Sequence, residues 1–201
     1  MGRAKQYDRE KLLDRAVDLF RRQGFNGTST AELVAELGVN RKSMYAEFGS
    51  KQELFEATLE HYDRNHLTRV LGPIEAPEAG VEAIVQAFAG YATASEGWSK
   101  GRGCLMCNTA VERGALDPAS GKFAAAYLDR ITRAFVNALG NGRRSGDVDE
   151  AADLDELAAF LTTTFVGVTA CIRAEAPSKQ LHATARVVAS TLEAHRPATK
   201  R

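Results

Sequence analysis

Gly24-Phe25-Asn26-Gly27-Thr28-Ser29-Thr30-Ala31-Glu32-Leu33-Val34-Ala35-Glu36-Leu37-Gly38-Val39-Asn40-Arg41-Lys42-Ser43-Met44-Tyr45-Ala46-Glu47-Phe48-Gly49-Ser50 spells out two short helices and the turn between them. Ser29 followed three residues later by Glu32 is a capping box, in which each side chain reaches the other's backbone N–H. Leu33, Val34 and Leu37 give that helix one apolar face, and Gly38 permits the left-handed stop. Asn40 caps a second helix over 41–48, which Gly49-Ser50 breaks. Two helices this short need a third to pack on. Residues 8–23 provide it, with Asp8 as cap, Leu12, Leu13, Ala16, Val17, Leu19 and Phe20 on one face, and Gly24 as stop. Phe25 is expected to tuck back onto that face. The unit is a helix-turn-helix with Val39 beneath the turn.

The second short helix opens Asn40-Arg41-Lys42-Ser43, placing two cations where the helix dipole is already positive. A helix serving only as scaffold is better off with Asp or Glu there. A helix start aimed into a DNA major groove benefits from Arg, Lys and free backbone N–H groups, which base edges and phosphates attract. Residues 1–52 carry 10 basic and 7 acidic side chains, against 16 and 19 in the remainder, so the N-terminal quarter is the mildly positive part of a neutral chain.

The run from Gly24 to Val39, continued by Met44-Tyr45-Ala46-Glu47-Phe48-Gly49-Ser50-Lys51-Gln52-Glu53-Leu54, resembles the tetracycline-repressor (TetR) family. The matching signature covers about residues 8–55. A second segment, Gly103-Cys104-Leu105-Met106-Cys107-Asn108, looks like a Gly-Cys-Leu-x-x-Asn segment of one branch of that family. The resemblance implies a homodimeric transcriptional regulator, usually a repressor, that a small apolar or amphipathic effector releases from DNA. It implies DNA contacts by Arg41, Lys42 and Ser43, with Asn40 at the same helix start. Phosphate contacts are implied for Tyr45 and Lys51, and backbone contacts for Thr28, Ser29 and Thr30. Family members often carry an aromatic or His where this chain has Ala46 and Glu47, so fewer backbone contacts are expected here.

Working outward, 201 residues with 44% hydrophobic content suffice for a substantial core, and periodic i, i+3, i+4 apolar residues mark an all-α chain of about nine helices. Residues 1–52 are expected to form the DNA-binding domain, with a helix over 51–70, ended by Gly72-Pro73, linking it to a helical domain over 53–201. Further helices are expected near 78–96, 103–114, 118–140, 153–175 and 178–195. Loops are expected at Gly97–Gly103 and at Gly140-Asn141-Gly142, and a frayed tail from Pro197. No stretch reads as a membrane span or a signal core, so a soluble, cytoplasmic protein without membrane contact is expected.

Chemistry beyond DNA binding is sparse. Three cysteines do not form a disulfide framework. Cys104 and Cys107 share a helix face and are either packing residues or a redox or electrophile sensor. His61, His66, His182 and His195 are scattered, so no metal site, cofactor or catalytic residue is expected. Phe88, Tyr91, Met106, Asn108, Tyr127, Thr164 and Phe165 are the candidate ligand-binding residues, with the polar members supplying orientation in an apolar pocket. In the last two helices Gly167, Ala170, Ala183 and Ala189 permit close approach, and the family resemblance places a dimer interface there. A helical enzyme and an interaction module without a DNA role are the competing classes. The first lacks any recognisable nucleophile–base pair, and salt-insensitive or absent DNA binding would favour the second.

Overall fold

The computed structural model describes residues 8–197, so the expected frayed end, 198–201, lies outside the described residues. The helices are α1 (Arg9–Gln23), α2 (Thr30–Leu37), α3 (Arg41–Phe48), α4 (Lys51–Tyr62), a π-helical turn (Asp63–Leu67), α5 (Thr68–Glu75), α6 (Val81–Ala94), α7 (Leu105–Arg113), α8 (Pro118–Ser145), α9 (Leu154–Arg173) and α10 (Ser178–Ala194). With 51–75 counted as one interrupted rod, these make nine helical bodies, and no strand occurs among the described residues. The local signals hold at the N-terminal end: Asp8 accepts from the Glu10 N–H, and Ser29 and Glu32 form the reciprocal box. Asn40 accepts from the Ser43 N–H, and Gly38 adopts φ 67°. Phe25 folds back to 4.9 Å from the Phe55 ring, and Phe20 meets the same ring edge-on.

Two boundaries and one reading of apolar length differ from the sequence expectation. The linking helix does not end at Gly72-Pro73 but continues through Pro73 to Glu75. The Arg130 guanidinium holds this segment from both sides, bonding Glu75 at 2.5 and 2.7 Å and Asp63 at 2.6 Å. Gly140-Asn141-Gly142 is not a turn. α8 runs through it to a left-handed Gly146. Asn141 donates to the Pro77 and Ala79 carbonyls, and a Cβ on Gly142 would lie 2.8 Å from Val81 and 3.0 Å from Val148. The glycine thus serves close helix approach rather than chain reversal. Finally, α9 is long and apolar enough to cross a membrane by length and composition, contrary to the expectation that no stretch comes near. Its Leu157, Leu161, Phe165, Val168 and Ile172 face is buried inside the chain.

The N-terminal three-helix head is fixed to the helical body by contacts that no local pattern announces. Arg21, in the last turn of α1, is 3% exposed and donates from Nε and Nη2 to the Gly103 carbonyl, at 3.2 and 2.6 Å, and from Nη2 to Ser99 Oγ at 3.4 Å. The rings of Tyr62 and Trp98 flank it at 5.9 and 5.4 Å. Arg173 of α9 reaches back to the Arg21 and Gly101 carbonyls. Glu112, near the end of α7, accepts the Phe25 N–H at 2.9 Å and the Asn26 N–H at 2.6 Å. The carboxylate comes so close that a Cβ on Gly24, at φ 76°, would stand 2.5 Å from it. On the other side of α1, His61 of α4 lies between Asp14 (2.7 Å) and Glu10 (2.9 Å).

Two stability outcomes follow from this packing. Arg21→Ala strands the buried Gly103 carbonyl and should cost on the order of 2 kcal/mol, lowering the melting temperature by about 4–8 °C. Gly142→Ala should destabilise by about 1–3 kcal/mol through overpacking, whereas Gly90→Ala, whose Cβ meets nothing within 4 Å, should stabilise by about 0.5–1 kcal/mol through helix propensity. Thermal melts of the three variants check both.

Candidate nucleic-acid interface

The start of α3 presents Asn40, Arg41 and Lys42 to solvent, while Met44 and Phe48 anchor its opposite face in the core. The first turn of α3 contains no acidic residue. The nearest carboxylate in sequence, Glu47, is directed inward: its side chain is almost fully buried and Arg9 Nε lies 3.4 Å away. Glu36 pairs with Arg22 at 3.1 Å, and Glu32 is occupied by the Ser29 cap. That cap, chiefly its backbone N–H, holds the Glu32 carboxyl below its ordinary range. The local carboxylates therefore have internal partners, and the exposed field at the head of α3 is set by Arg41, Lys42 and the helix dipole.

The nine expected DNA residues fall into distinct places. Arg41 and Lys42 project freely, and the Arg41 guanidinium lies 5.5 Å from the Tyr45 ring centroid. Tyr45 is half-buried, with its hydroxyl 3.4 Å from Thr30 Oγ1, which joins the start of α2 to α3. The Thr30 hydrogen bond and Arg41 together lower the phenol's pKa. Ser29 and Asn40 are exposed caps, and Ser43 is half-buried beside them. Thr28 lies apart from this surface: it is buried, and its hydroxyl donates to the Gly24 carbonyl at 2.6 Å. Lys51 is half-buried, its Nζ 4.1 Å from the Phe25 ring centroid, with Arg113 on the same ring at 3.8 Å. Burial and the Arg113 charge lower the Lys51 pKa. Arg9, which sequence reasoning missed, packs over Phe48 and lies against Glu47, the carboxylate of α3 itself.

The expected ligand residues do not surround one open cavity. Phe88, Phe165 and Tyr91 pack edge-to-face at 4.6–5.6 Å in the centre of the helical body, and Met106 and Tyr127 are also buried. Thr164 is half-buried on α9, and the Asn108 amide donates to the Arg102 carbonyl. Tyr127 instead belongs to a thiol cluster, with its hydroxyl 3.3 Å from Cys104 Sγ and 3.7 Å from Cys107 Sγ. Cys104 is the N-cap of α7, the dipole end that favours a thiolate. Burial opposes its ionisation, but hydrogen bonds from Cys107 and Tyr127 outweigh that and lower its pKa. The same bond to Cys104, reinforced by burial, raises the pKa of Cys107. Among the described residues no group of three or more His, Cys, Asp or Glu is placed to hold a metal ion.

The chain is similar to known proteins along most of its length. Residues 12–58 match the family described as bacterial regulatory proteins, tetR family, and residues 77–188 match a tetracyclin repressor-like C-terminal domain. The chain is 28% identical over 194 residues to the uncharacterized HTH-type transcriptional regulator YezE of Bacillus subtilis (strain 168), covering 96% of this chain and all of YezE. It is 30% identical over 184 residues to the HTH-type transcriptional repressor ComR of Escherichia coli (strain K12), covering 90% of this chain and 86% of ComR. A solved TetR-family regulator, CifR, captured as a cysteine mutant with 26-bp double-strand operator DNA, superposes with a TM-score of 0.81. It is 27% identical, over 98% of this chain and all of that one. These relatives are transcriptional regulators, not enzymes. The chain belongs to the TetR family of DNA-binding transcriptional regulators.

Proposed function

We propose that this regulator is a homodimeric, cytoplasmic repressor that reads a near-palindromic double-stranded operator and leaves it when a small apolar or amphipathic effector binds its helical body. The observation that carries the DNA half is the solvent-facing start of α3, where Arg41 and Lys42 project from a first turn that contains no acidic residue. In this reading Arg41 and Lys42 meet base edges and phosphates. The exposed caps Ser29 and Asn40 touch backbone, and Thr30 and Tyr45 act as a joined pair on phosphate. Thr28 and Lys51 contribute by shaping the head, since the hydroxyl of one and the ammonium of the other already face internal groups.

Dimerisation through α9 and α10 is supported by what those helices leave uncovered. Their long apolar rows are buried within the chain, but Phe160 (42% exposed), Thr163, Gly167 and Ala170 line the outer face of α9. Val187, 61% exposed, stands on α10. Small residues between two larger apolar ones allow a second copy to approach closely. Two α3 helices in such a dimer reach successive major grooves when about 34–36 Å apart. Effector and operator are then linked reciprocally, each weakening the other's binding by the same factor.

A second reading keeps the DNA output and changes the trigger. It is favoured by the Cys104–Tyr127–Cys107 cluster at the N-terminal end of α7, whose other end holds the α1–α2 turn through Glu112. That CifR was captured on its operator as a cysteine mutant supports asking whether thiols matter here as well.

Selection of randomised duplex DNA should return a near-palindrome, and anisotropy titrations should show affinity falling with salt at a log–log slope of about −0.9 per phosphate contact. On that site Arg41→Ala should lose about 1–3 kcal/mol and relax specificity at one base pair. Equal losses on selected and random DNA would reduce Arg41 to a phosphate contact, and the absence of any enriched site with effector-stripped protein would refute the reading. For the thiol trigger, diamide should weaken operator binding by the native chain but not by the Cys104→Ser/Cys107→Ser variant. Equal responses would remove both cysteines from the mechanism.

A further inference from the structure

The outer side of the helical body carries an apolar cleft of about 270 Å³ between α5 and α6, lined by Val70 and Pro73 on one wall and by Ala83, Gln86, Ala87, Gly90 and Ala94 along α6. Tyr91 and Trp98 complete it. Its floor is flat because α6 offers alanines and one glycine there, and a Cβ built on Gly90 meets nothing within 4 Å. No charged side chain lines it, so a charged ligand would lose its hydration without a partner. Gln86 is the only amide in the lining. Its Nε2 is committed to Glu82 at 2.6 Å, which leaves the amide oxygen to accept a hydrogen bond.

Trp98 makes this cleft more than a surface depression. It is the only tryptophan in the sequence, and at 51% exposed it keeps an aromatic surface uncovered by the chain's own packing. Its ring meets His66 of the π-helical turn edge-on at 5.2 Å and also flanks the buried Arg21 guanidinium at 5.4 Å. His66 stacks in turn on Tyr62 at 4.7 Å. Burial first, then the Arg21 and Arg69 charges, push the His66 pKa down to about 4, so these ring contacts involve a neutral imidazole at physiological pH. One indole therefore touches the cleft, the irregular turn of the linking rod and the arginine that seats the DNA-binding head.

We propose that the α5–α6 cleft is the effector site, that it takes a small, neutral, flat aromatic molecule with one hydrogen-bond donor, and that Trp98 passes occupancy to α1 through Arg21. The proposal deepens the effector-release reading above and rests on it. The ligand's ring lies along the Gly90–Ala94 floor beside Tyr91 and Trp98, and its donor meets Gln86. Movement of the indole then disturbs the ring contact on Arg21, whose guanidinium is held, among the described residues, by the neutral acceptors Gly103 and Ser99.

The test uses the full chain and N-phenyl-1-naphthylamine, a neutral aromatic probe with one N–H. The probe should quench Trp98 emission saturably at one equivalent per chain. Gly90→Leu, which fills the cleft, should weaken binding at least tenfold, read from the probe's own emission. Trp98→Leu should weaken it severalfold. Circular-dichroism melts of both variants confirm that they fold. Saturating probe should lower operator affinity of the native chain at least fivefold. Absent saturable binding, or binding within twofold of native in folded Gly90→Leu, overturns the site. Probe binding that leaves operator affinity unchanged overturns the transmission through Trp98. Failure of the probe-free chain to bind any selected operator is a different result, and it refutes the DNA-binding reading instead.

Discussion

The seat of Arg21 is the constraint around which the two halves of the molecule are arranged. A guanidinium taken out of water without a carboxylate partner is costly, and its position is acceptable because a carbonyl, a hydroxyl and two ring faces stand in for the lost hydration. Those substitutes come from the 99–103 loop, the linking rod and Trp98, so α1 cannot turn independently of any of them. Arg173 and Glu112 close the same joint from α9 and α7, by holding the Arg21 carbonyl of α1 and the N–H groups of the turn that follows it. The head is thus gripped largely through its main chain, a form of attachment that tolerates little rotation.

The charge pattern of the head follows from that rigidity. Its carboxylates are each given a partner on the inside or along the flank: Glu47 with Arg9, Glu36 with Arg22, Glu32 with the α2 cap, and Asp14 and Glu10 with His61. A nearly neutral chain can therefore display a local positive surface. An exposed pair such as Glu36–Arg22 contributes little to stability by itself. The effect of these pairings here is to direct negative charge away from Arg41 and Lys42.

Much of this was legible in the sequence because it is local. Caps at Asp8, Ser29 and Asn40 and the stop at Gly38 depend on residues two to four positions apart, and the structure forms each as written. Gly140-Asn141-Gly142 misled because its glycine is required by Val81 and Val148, far away along the chain, and not by the backbone at hand. Pro73 misled in a similar way, since the long-range grip of Arg130 on Asp63 and Glu75 holds a helix across it. Among candidate site residues, Arg41 and Lys42 stood out by an unfavourable charge at a helix start, and both are exposed there. Phe88 and Phe165 could not be told from core, because the same apolar spacing serves packing and ligand contact alike. Arg21 and Gly103 are 82 positions apart, and nothing in either neighbourhood announces the other.

The π-helical turn at Asp63–Leu67 has a consequence of its own. A π turn accommodates one residue more than the α-helix around it, and one residue of helix corresponds to about 100° of rotation. Upstream of it, Phe55, Leu59 and Tyr62 are buried toward the head, and downstream, Leu67, Leu71 and Ile74 are buried toward the body. Both sets point correctly only while the surplus residue is retained. The bearing of the recognition helix is thereby encoded as a residue count in the rod, so homologous rods differing there by a single insertion or deletion would aim the same head along a different direction.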